Sequence, residues 1–247
     1  MCTVVTLRRP GHAWPLLLAA NRDEMRGRTW SPPARHWVDR PATVAGKDHQ
    51  AGGSWLGVND HGVAVAILNR RGSLGTEAGK RSRGDLVLDA LDHCSAESAA
   101  EALARYYGGE FRSFNMAIAD REHGYWLRGL GDGAIEAFPL PEGVGMLTAW
   151  DLNDAEKSAR SDFYLPKFQI AEPPEIEAGN WGDWQRLLES TETAPGENDP
   201  NGAMTVETPW GFGTVSRSMV ALPETGQPKW WFSSLYPEET SFAPVSF

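Results

Sequence analysis

The sequence is poor in the residues that cross-link small secreted domains or bind metal ions. Only two of its 247 residues are cysteines, Cys2 and Cys94, which are too few for a disulfide framework and favour a reducing compartment. The six histidines are scattered singly, and none has the Cys/His spacing of a zinc site. We therefore expect a cytoplasmic protein without a metal ion or an obligatory cofactor.

Two more absences narrow the class of function. No apolar run reaches the roughly 20 residues that span a bilayer, and the mean hydropathy is −0.41. The amino terminus has neither the charged start nor the apolar core of a secretory signal. With a net charge of −10 and a pI near 5.1, the chain also lacks the basic footprint of a nucleic-acid-binding protein. These absences predict no membrane span and no nucleic-acid partner.

Strand-like and helix-like segments follow one another in blocks rather than in β-α-β units. This order favours an α+β protein, and the length suits a single domain spanning residues 1–247. The predicted strands cover residues 3–7, 14–20, 53–58, 62–68, 114–119, 125–128, 134–138, 145–148, 214–222 and 229–235. The predicted helices cover residues 83–91, 95–107, 154–168 and 184–189. Residues 29–46 are expected to form an ordered loop and residues 171–201 an exposed acidic segment.

Cys2 is the first candidate for chemistry. Met1 is expected to be removed before so small a residue, which leaves the α-amino group on Cys2. An α-amine with a pKa of about 7.7–8.0 can accept the proton of a thiol with a pKa of about 8.5. One residue then supplies both the base and the nucleophile. The alternative is a small buried hydrophobic residue at the start of a strand.

The tetrapeptide NRDE, residues 21–24, follows an apolar strand and is the second candidate. Asp23 can accept a hydrogen bond from the α-ammonium group of Cys2. Arg22 can either lower the pKa of the thiol or bind a substrate carboxylate with two N–H groups, and we group the neighbouring Asn21 with it as a substrate-binding residue. The alternative is a solvated turn capped by Asn21 or Asp23.

Three further polar residues complete the candidate set. Asn69 ends an apolar strand, where its amide can donate to an oxyanion or close a turn. Arg70 belongs to a basic loop, residues 69–85, which either attracts an anionic substrate or is simply solvated. Arg217 lies in a late predicted strand, where a charged side chain faces water or a partner.

Together these residues resemble the NRDE family, also called the transport-and-Golgi-organization-two type. The matching motifs are MCTVV at the start, NRDE at 21–24, GGSWLGVNDHGVAVAILNRR at 52–71, SRGDLVLDAL at 82–91, FRSFNMAIAD at 111–120 and FGTVSRSMVAL at 212–222. More distantly, the MCT start, Asp23, the hairpin at 59–69 and the SRS tripeptide are similar to choloylglycine hydrolases and penicillin V acylases. The resemblance implies the four-layer αββα sandwich of N-terminal nucleophile hydrolases.

The resemblance also implies roles for single residues. Cys2 corresponds to the nucleophile and Asp23 to the acid that orients its amine, while Asn69 corresponds to an oxyanion residue. Arg217 corresponds to a late-strand arginine. We therefore expect a hydrolase of a non-peptide amide or related acyl bond in a small molecule. The alternative is a non-catalytic carrier that binds heme or another hydrophobic, lipid-like ligand in the same pocket, since eukaryotic family members are linked to heme trafficking and lipid homeostasis.

Overall fold

A computed structural model describes residues 2–247, which form thirteen strands and four α-helices. The chain begins with strands β1 (Thr3–Arg8), β2 (Leu16–Met25), β3 (Trp30–Ala34), β4 (Thr43–Asp48), β5 (Leu56–Asn59) and β6 (Ala64–Asn69). Helices α1 (Arg83–Leu91) and α2 (Ala96–Ala104) follow, and then strands β7 (Phe114–Ala119), β8 (Gly124–Gly129), β9 (Glu136–Pro139) and β10 (Gly143–Leu147). The last third contains helices α3 (Ala159–Ile170) and α4 (Gly182–Glu189) and strands β11 (Phe212–Leu222), β12 (Lys229–Ser234) and β13 (Ala243–Pro244).

The strands form two antiparallel sheets. The first sheet has the order β10-β1-β2-β11-β12-β13, and the second has the order β3-β4-β5-β6-β7-β8-β9. Within the first sheet, Thr3 pairs with Asn21, and Asn21 pairs with Arg217 on its other side. Residues from the start, the NRDE segment and the late strand of the chain therefore meet side by side.

Apolar side chains alternate between the two faces of each sheet and so fix the order of the layers. On β2, Leu16 and Leu18 point between the sheets and pack with Val58 of the second sheet. Leu17 points the other way and packs with Phe168 of α3. The outer face of the second sheet packs in the same way against α1 and α2. The α+β class and the αββα sandwich that the sequence predicts are therefore confirmed.

Serine side chains begin three of the four helices. Ser82 accepts a hydrogen bond from the Gly84 amide at the start of α1, and Ser95 accepts one from Ser98 at the start of α2. Such caps satisfy amide groups that have no partner inside the helix. The longest helix, α3, has 12 residues, and no helix within residues 2–247 is long and apolar enough to cross a membrane.

Three segments differ from the sequence-based expectation. Strand β2 does not end at residue 20, because it keeps pairing with β11 as far as Met25, which lies opposite Phe212. Residues 29–46 contain β3 and the start of β4 rather than a loop. Residues 171–201 are not simply exposed, since Trp181 and Trp184 are each only 1% exposed where α4 packs on the first sheet. The polar composition of these segments conceals the pairing and packing of their backbone.

Candidate active site

Cys2 lies immediately before β1 and lines a cavity of about 170 Å³ at one end of the two sheets. Its side chain is half-buried. The backbone of Asp23 on the neighbouring strand holds the sulfur, because the Asp23 amide donates to Sγ at 3.3 Å and the thiol donates to the Asp23 carbonyl at 3.4 Å. The predicted removal of Met1 lies outside the described residues.

The Asp23 carboxylate is completely buried and is held by two other elements. Thr214, its partner on β11, donates its hydroxyl hydrogen to Oδ1 at 2.7 Å. Arg160, in the first turn of α3, lies 3.4 Å from Oδ2. Arg160 also donates to the hydroxyl of Thr3 and to the Asn201 carbonyl. Asp23 therefore joins β2, β11 and α3 directly beside Cys2.

The surroundings of Cys2 disfavour its thiolate. Burial raises the pKa of the Cys2 thiol above its ordinary value, and the negative charge of Asp23 raises it further. Both effects act on the charged form, the first through lost solvation and the second through repulsion. A protonated α-amine on Cys2 would oppose the charge of Asp23 and lower the thiol pKa.

Arg22 lines the cavity, and its guanidinium group has few hydrogen-bond partners. Its side chain is 6% exposed, and its guanidinium group lies 4.1 Å from the centre of the Trp55 ring. Nη2 lies 3.4 Å from Asp48 and 4.0 Å from Glu24. Nη1 is buried and has no hydrogen-bond partner within residues 2–247. Burial lowers the pKa of Arg22, which is the direction expected for a poorly solvated cation.

Asn69 ends β6 on the opposite sheet and lines the same cavity. Its side chain is half-buried, and no side-chain hydrogen bond is found for it in the described part of the chain. An amide at this position is free to donate to a bound oxygen atom. The structure thus brings four of the predicted residues to one cavity, and they are Cys2, Arg22, Asp23 and Asn69.

The other three predicted residues make different contacts. Asn21 borders a smaller pocket of about 20 Å³ with Cys2, but its amide nitrogen donates to the Leu188 and Met204 carbonyls at 2.8 Å each. Arg217 does not line the Cys2 cavity, and its Nη2 donates to the Thr205 hydroxyl at 2.9 Å. Both residues therefore tie the first sheet to the chain segment around α4.

Arg70 is not among the residues that line the Cys2 cavity. It forms an ion pair with Asp151 at 2.7 Å and donates to the side-chain oxygen of Asn115 at 2.7 Å. Asn115 is fully buried and donates in turn to the Thr148 and Trp150 carbonyls. Arg217 is predicted to be catalytic and Arg70 to bind substrate. No contact with the Cys2 cavity supports either role, and both stay predictions.

The basic loop that the sequence shows after β6 closes one side of the cavity. Arg83 donates to the Ser73 and Gly75 carbonyls, and Arg112 donates to the Leu74 and Thr76 carbonyls. These hydrogen bonds hold the loop in place through its backbone carbonyl groups. Burial and the charge of nearby Arg112 lower the pKa of Arg83 to about 10. The loop is therefore not simply solvated. Arg83 at its end and Arg112 from the segment before β7 hold its backbone in place, and both cations line the cavity.

Two glycines form part of the cavity wall. Gly53 and Gly84 let the loop before β5 touch the start of α1, where the Ser54 amide donates to the Gly84 carbonyl at 3.2 Å. A Cβ atom on Gly53 would lie 2.5 Å from the Gly84 carbonyl carbon, which is closer than nonbonded atoms approach. A side chain on Gly53 would therefore push the two segments apart.

Arg160, Thr214 and Asp48 are site residues that the sequence analysis missed. Arg160 lies 137 positions from Asp23, so no local motif links them. Thr214 falls at the start of a predicted strand but carries no distinctive pattern. Asp48 lies between the loop expected over residues 29–46 and the strand predicted from residue 53, so it belongs to no expected element. Within residues 2–247, no three His, Cys, Asp or Glu side chains are grouped as ligands for a metal ion.

Comparison with known proteins identifies the family. A protein-family model described as "Transport and Golgi organisation 2" matches residues 1–148. The chain belongs to this family. The Transport and Golgi organization 2 homolog of Mus musculus is 32% identical over 119 residues, which cover 44% of this chain and 40% of the mouse protein. The match therefore spans less than half the length of that curated relative.

Solved structures agree on the fold at much lower identity. The N-acylethanolamine-hydrolyzing acid amidase ortholog of Caenorhabditis elegans has a TM-score of 0.58 and 15% identity, covering 90% of this chain and 94% of that one. For penicillin V acylase from Agrobacterium tumefaciens the TM-score is 0.52 at 13% identity, with 95% and 83% covered. For a mutant conjugated bile acid hydrolase from Clostridium perfringens it is 0.55 at 13% identity, with 100% and 97% covered. This family member therefore has the N-terminal nucleophile hydrolase fold.

The buried ion pair between Asp23 and Arg160 predicts a large stability effect. Replacing Arg160 with Met removes one partner of a buried charge, so we expect a loss of about 3–5 kcal/mol in the free energy of unfolding, measured by denaturant titration. As a control, Arg26→Met removes an exposed arginine paired with Glu207 at 2.7 Å, and solvent screening limits its cost to about 1 kcal/mol or less. Equal costs for the two variants would contradict the assigned role of Arg160.

The charge of Asp23 predicts a shift in the titration of Cys2. Since this carboxylate raises the thiol pKa, Asp23→Asn lowers it, and the pH at which iodoacetamide alkylation of Cys2 is half-maximal moves down. The alkaline limb is the one to follow, because the α-ammonium group loses its proton at high pH and then no longer opposes the charge of Asp23. The exposed Cys94 is the internal control, with an unchanged midpoint. An unchanged or higher midpoint at Cys2 would refute the coupling.

Proposed function

We propose that this protein is an N-terminal cysteine hydrolase that cleaves a non-peptide C–N bond of an amide, or a related acyl bond, in a small molecule. The observation that carries the proposal is the meeting of Cys2, the buried Asp23 and Asn69 at one cavity of an N-terminal nucleophile hydrolase fold. A cytoplasmic location is part of the proposal, since the mechanism needs Cys2 as a reduced thiol.

The proposed reaction starts with proton transfer inside one residue. In the chain without Met1, the α-amine of Cys2 takes the proton of its own thiol, and the thiolate attacks the substrate carbonyl carbon to form a C–S bond. The C–N bond then breaks, and the α-ammonium returns the proton to the departing amine. Water attacks the resulting thioester, with the α-amine as base, and releases the acid and the free thiol.

Asn69 and Asp23 have separate parts in this scheme. The carbonyl oxygen becomes negative after attack, and the Asn69 amide at the cavity wall can donate a hydrogen bond to it. The Asp23 carboxylate accepts from the α-ammonium and stabilises its charge. Thr214 and Arg160 are positioning residues, since they act on the amine only through the carboxylate that they hold.

The size of the cavity limits what reaches Cys2. Its volume of about 170 Å³ is below the roughly 300–1,000 Å³ of pockets that enclose a drug-sized ligand. The cavity therefore accommodates the reacting end of a substrate rather than a large molecule. The solved structures of similar fold are named as amidase, acylase and hydrolase, which supports a reaction class by analogy only.

Covalent labelling and turnover test the proposal directly. We expect the protein without Met1 to hydrolyse members of a panel of acylamides and to form a thioester adduct at Cys2 with a thiol-directed acyl probe. Cys2→Ala removes the nucleophile and should lower turnover by about 10³-fold or more. Cys94→Ala, which changes an exposed thiol outside the cavity lining, should leave turnover and the Cys2 adduct unchanged. If neither an adduct nor turnover were found, the proposed hydrolase function would be excluded.

One observation favours a carrier for heme or a lipid-like ligand, at a place other than the Cys2 cavity in which the sequence analysis expected the ligand to bind. A groove of about 890 Å³ lies where the edges of the two sheets meet, and its aromatic lining residues are Trp30, Phe232 and Phe247. Trp30 also contacts Trp55 of the Cys2 cavity, with ring centres 5.7 Å apart. Tight binding of a lipid-like ligand would favour the carrier if the protein also showed no Cys2 adduct and no turnover.

A further inference from the structure

Arg22, which lines the Cys2 cavity, carries a buried cationic group with one nitrogen that makes no hydrogen bond. Nη1 has no hydrogen-bond partner within residues 2–247, although the side chain is 6% exposed. A buried donor without a partner has lost the hydrogen bonds that it would make to water, which is unfavourable. A bound group that accepts from Nη1 would remove this cost.

Its surroundings hold the guanidinium in one orientation. The group stacks on Trp55 at 4.1 Å and lies 5.9 Å from the ring centre of Trp30. Stacked aromatic rings fix the plane of a guanidinium group without using its N–H groups. A planar fork fixed in this way is suited to a planar carboxylate, which can accept from two N–H groups at once.

The carboxylates already near Arg22 are shared with another cation. Asp48 accepts from Nε of Arg28 at 2.5 Å and lies 3.4 Å from Arg22, while Glu24 is 3.7 Å from Arg28 and 4.0 Å from Arg22. The second oxygen of Asp48 accepts the amides of Gln50 and Ala51. Arg28 is therefore the closer partner of both acids, and Arg22 is only weakly paired.

The cavity as a whole carries more cations than anions. Within the described residues, four carboxylates line it, those of Asp23, Glu24, Asp48 and Glu77. Six cations line it, those of Arg22, Arg28, Lys80, Arg81, Arg83 and Arg112. Lys80 and Arg83 donate to backbone carbonyls, which leaves their positive charge uncancelled. This positive cavity lies in a protein whose net charge is −10.

We propose that Arg22 selects ligands of the Cys2 cavity that carry a carboxylate, so that the substrate is an anionic amide or acyl compound. This rests on the proposed function only in naming the ligand as the substrate. The carboxylate accepts from Nη1 and Nη2 of Arg22 and sits in the positive field of the cavity. The acyl carbon lies toward Cys2, which lines the same cavity.

A pair of small alkylating agents tests the inference without any turnover. Iodoacetate and iodoacetamide both form a C–S bond with a thiolate and release iodide, but only iodoacetate carries a carboxylate. The measured quantity is the ratio of their rates at Cys2, divided by the same ratio for cysteinamide, which also has a free α-amine beside its thiol. We expect a normalised ratio of about ten or more in the native protein, a typical gain from local electrostatic attraction.

Matched variants assign the effect to Arg22. Arg22→Met keeps an apolar stem against Trp55 and should return the ratio to about one. Arg26→Met removes an exposed arginine on the segment after β2, outside the cavity lining, and should leave the ratio unchanged. Arg22→Lys keeps the charge without the fork and should give an intermediate ratio, which serves if the Met variant does not fold.

The outcomes separate this inference from the proposed function. A native ratio near one, or a high ratio that Arg22→Met or Arg22→Lys leaves unchanged, would overturn the role of Arg22. Turnover of acylamides together with a ratio near one would refute the inference and leave the hydrolase proposal standing. A high ratio that depends on Arg22, with neither an acyl adduct at Cys2 nor turnover, would support the carboxylate site and refute the hydrolase proposal.

Discussion

The buried carboxylate of Asp23 is the constraint on which the arrangement around Cys2 depends. Removing a carboxylate from water costs several kcal/mol unless charged and hydrogen-bonding partners replace the water. Arg160 of α3 and Thr214 of β11 are such partners, and each comes from a different part of the chain. Pairing of β2 with β1 and β11, and packing of α3 on the first sheet, are therefore requirements for this charge to be buried.

The same charge has two opposite effects on Cys2. It raises the pKa of the thiol, which hinders formation of the nucleophile. In the proposed mechanism it also stabilises the α-ammonium that forms when the amine accepts the thiol proton. Which effect dominates depends on whether the amine belongs to Cys2 or to Met1. In the proposed mechanism, Cys2 therefore acts as a nucleophile only after removal of Met1 has placed the α-amine on the same residue.

The sequence predicts a large part of the fold and about half of the site, for identifiable reasons. The strand predicted over residues 114–119 and the helix predicted over residues 83–91 follow from local sequence signals, and the structure confirms them as β7 and α1. Asn69 and the NRDE segment are likewise marked by polar residues that follow apolar ones. By contrast, Arg160 resembles any arginine on a helix, and only the packing of α3 brings it to Asp23. The extension of β2 through residues 21–25 depends on its pairing with β11, which no local pattern specifies.

The amino terminus decides whether Cys2 can act as the proposal requires, because only removal of Met1 places the α-amine and the thiol on one residue. Intact-protein mass spectrometry under reducing conditions, with fragmentation of the first residues, measures this most directly. The account predicts a mass lower than that of the encoded chain by one methionine residue and an unmodified Cys2 with a free α-amine. Retention of Met1 in the native protein would contradict it, since the base would then lie one residue away from the nucleophile.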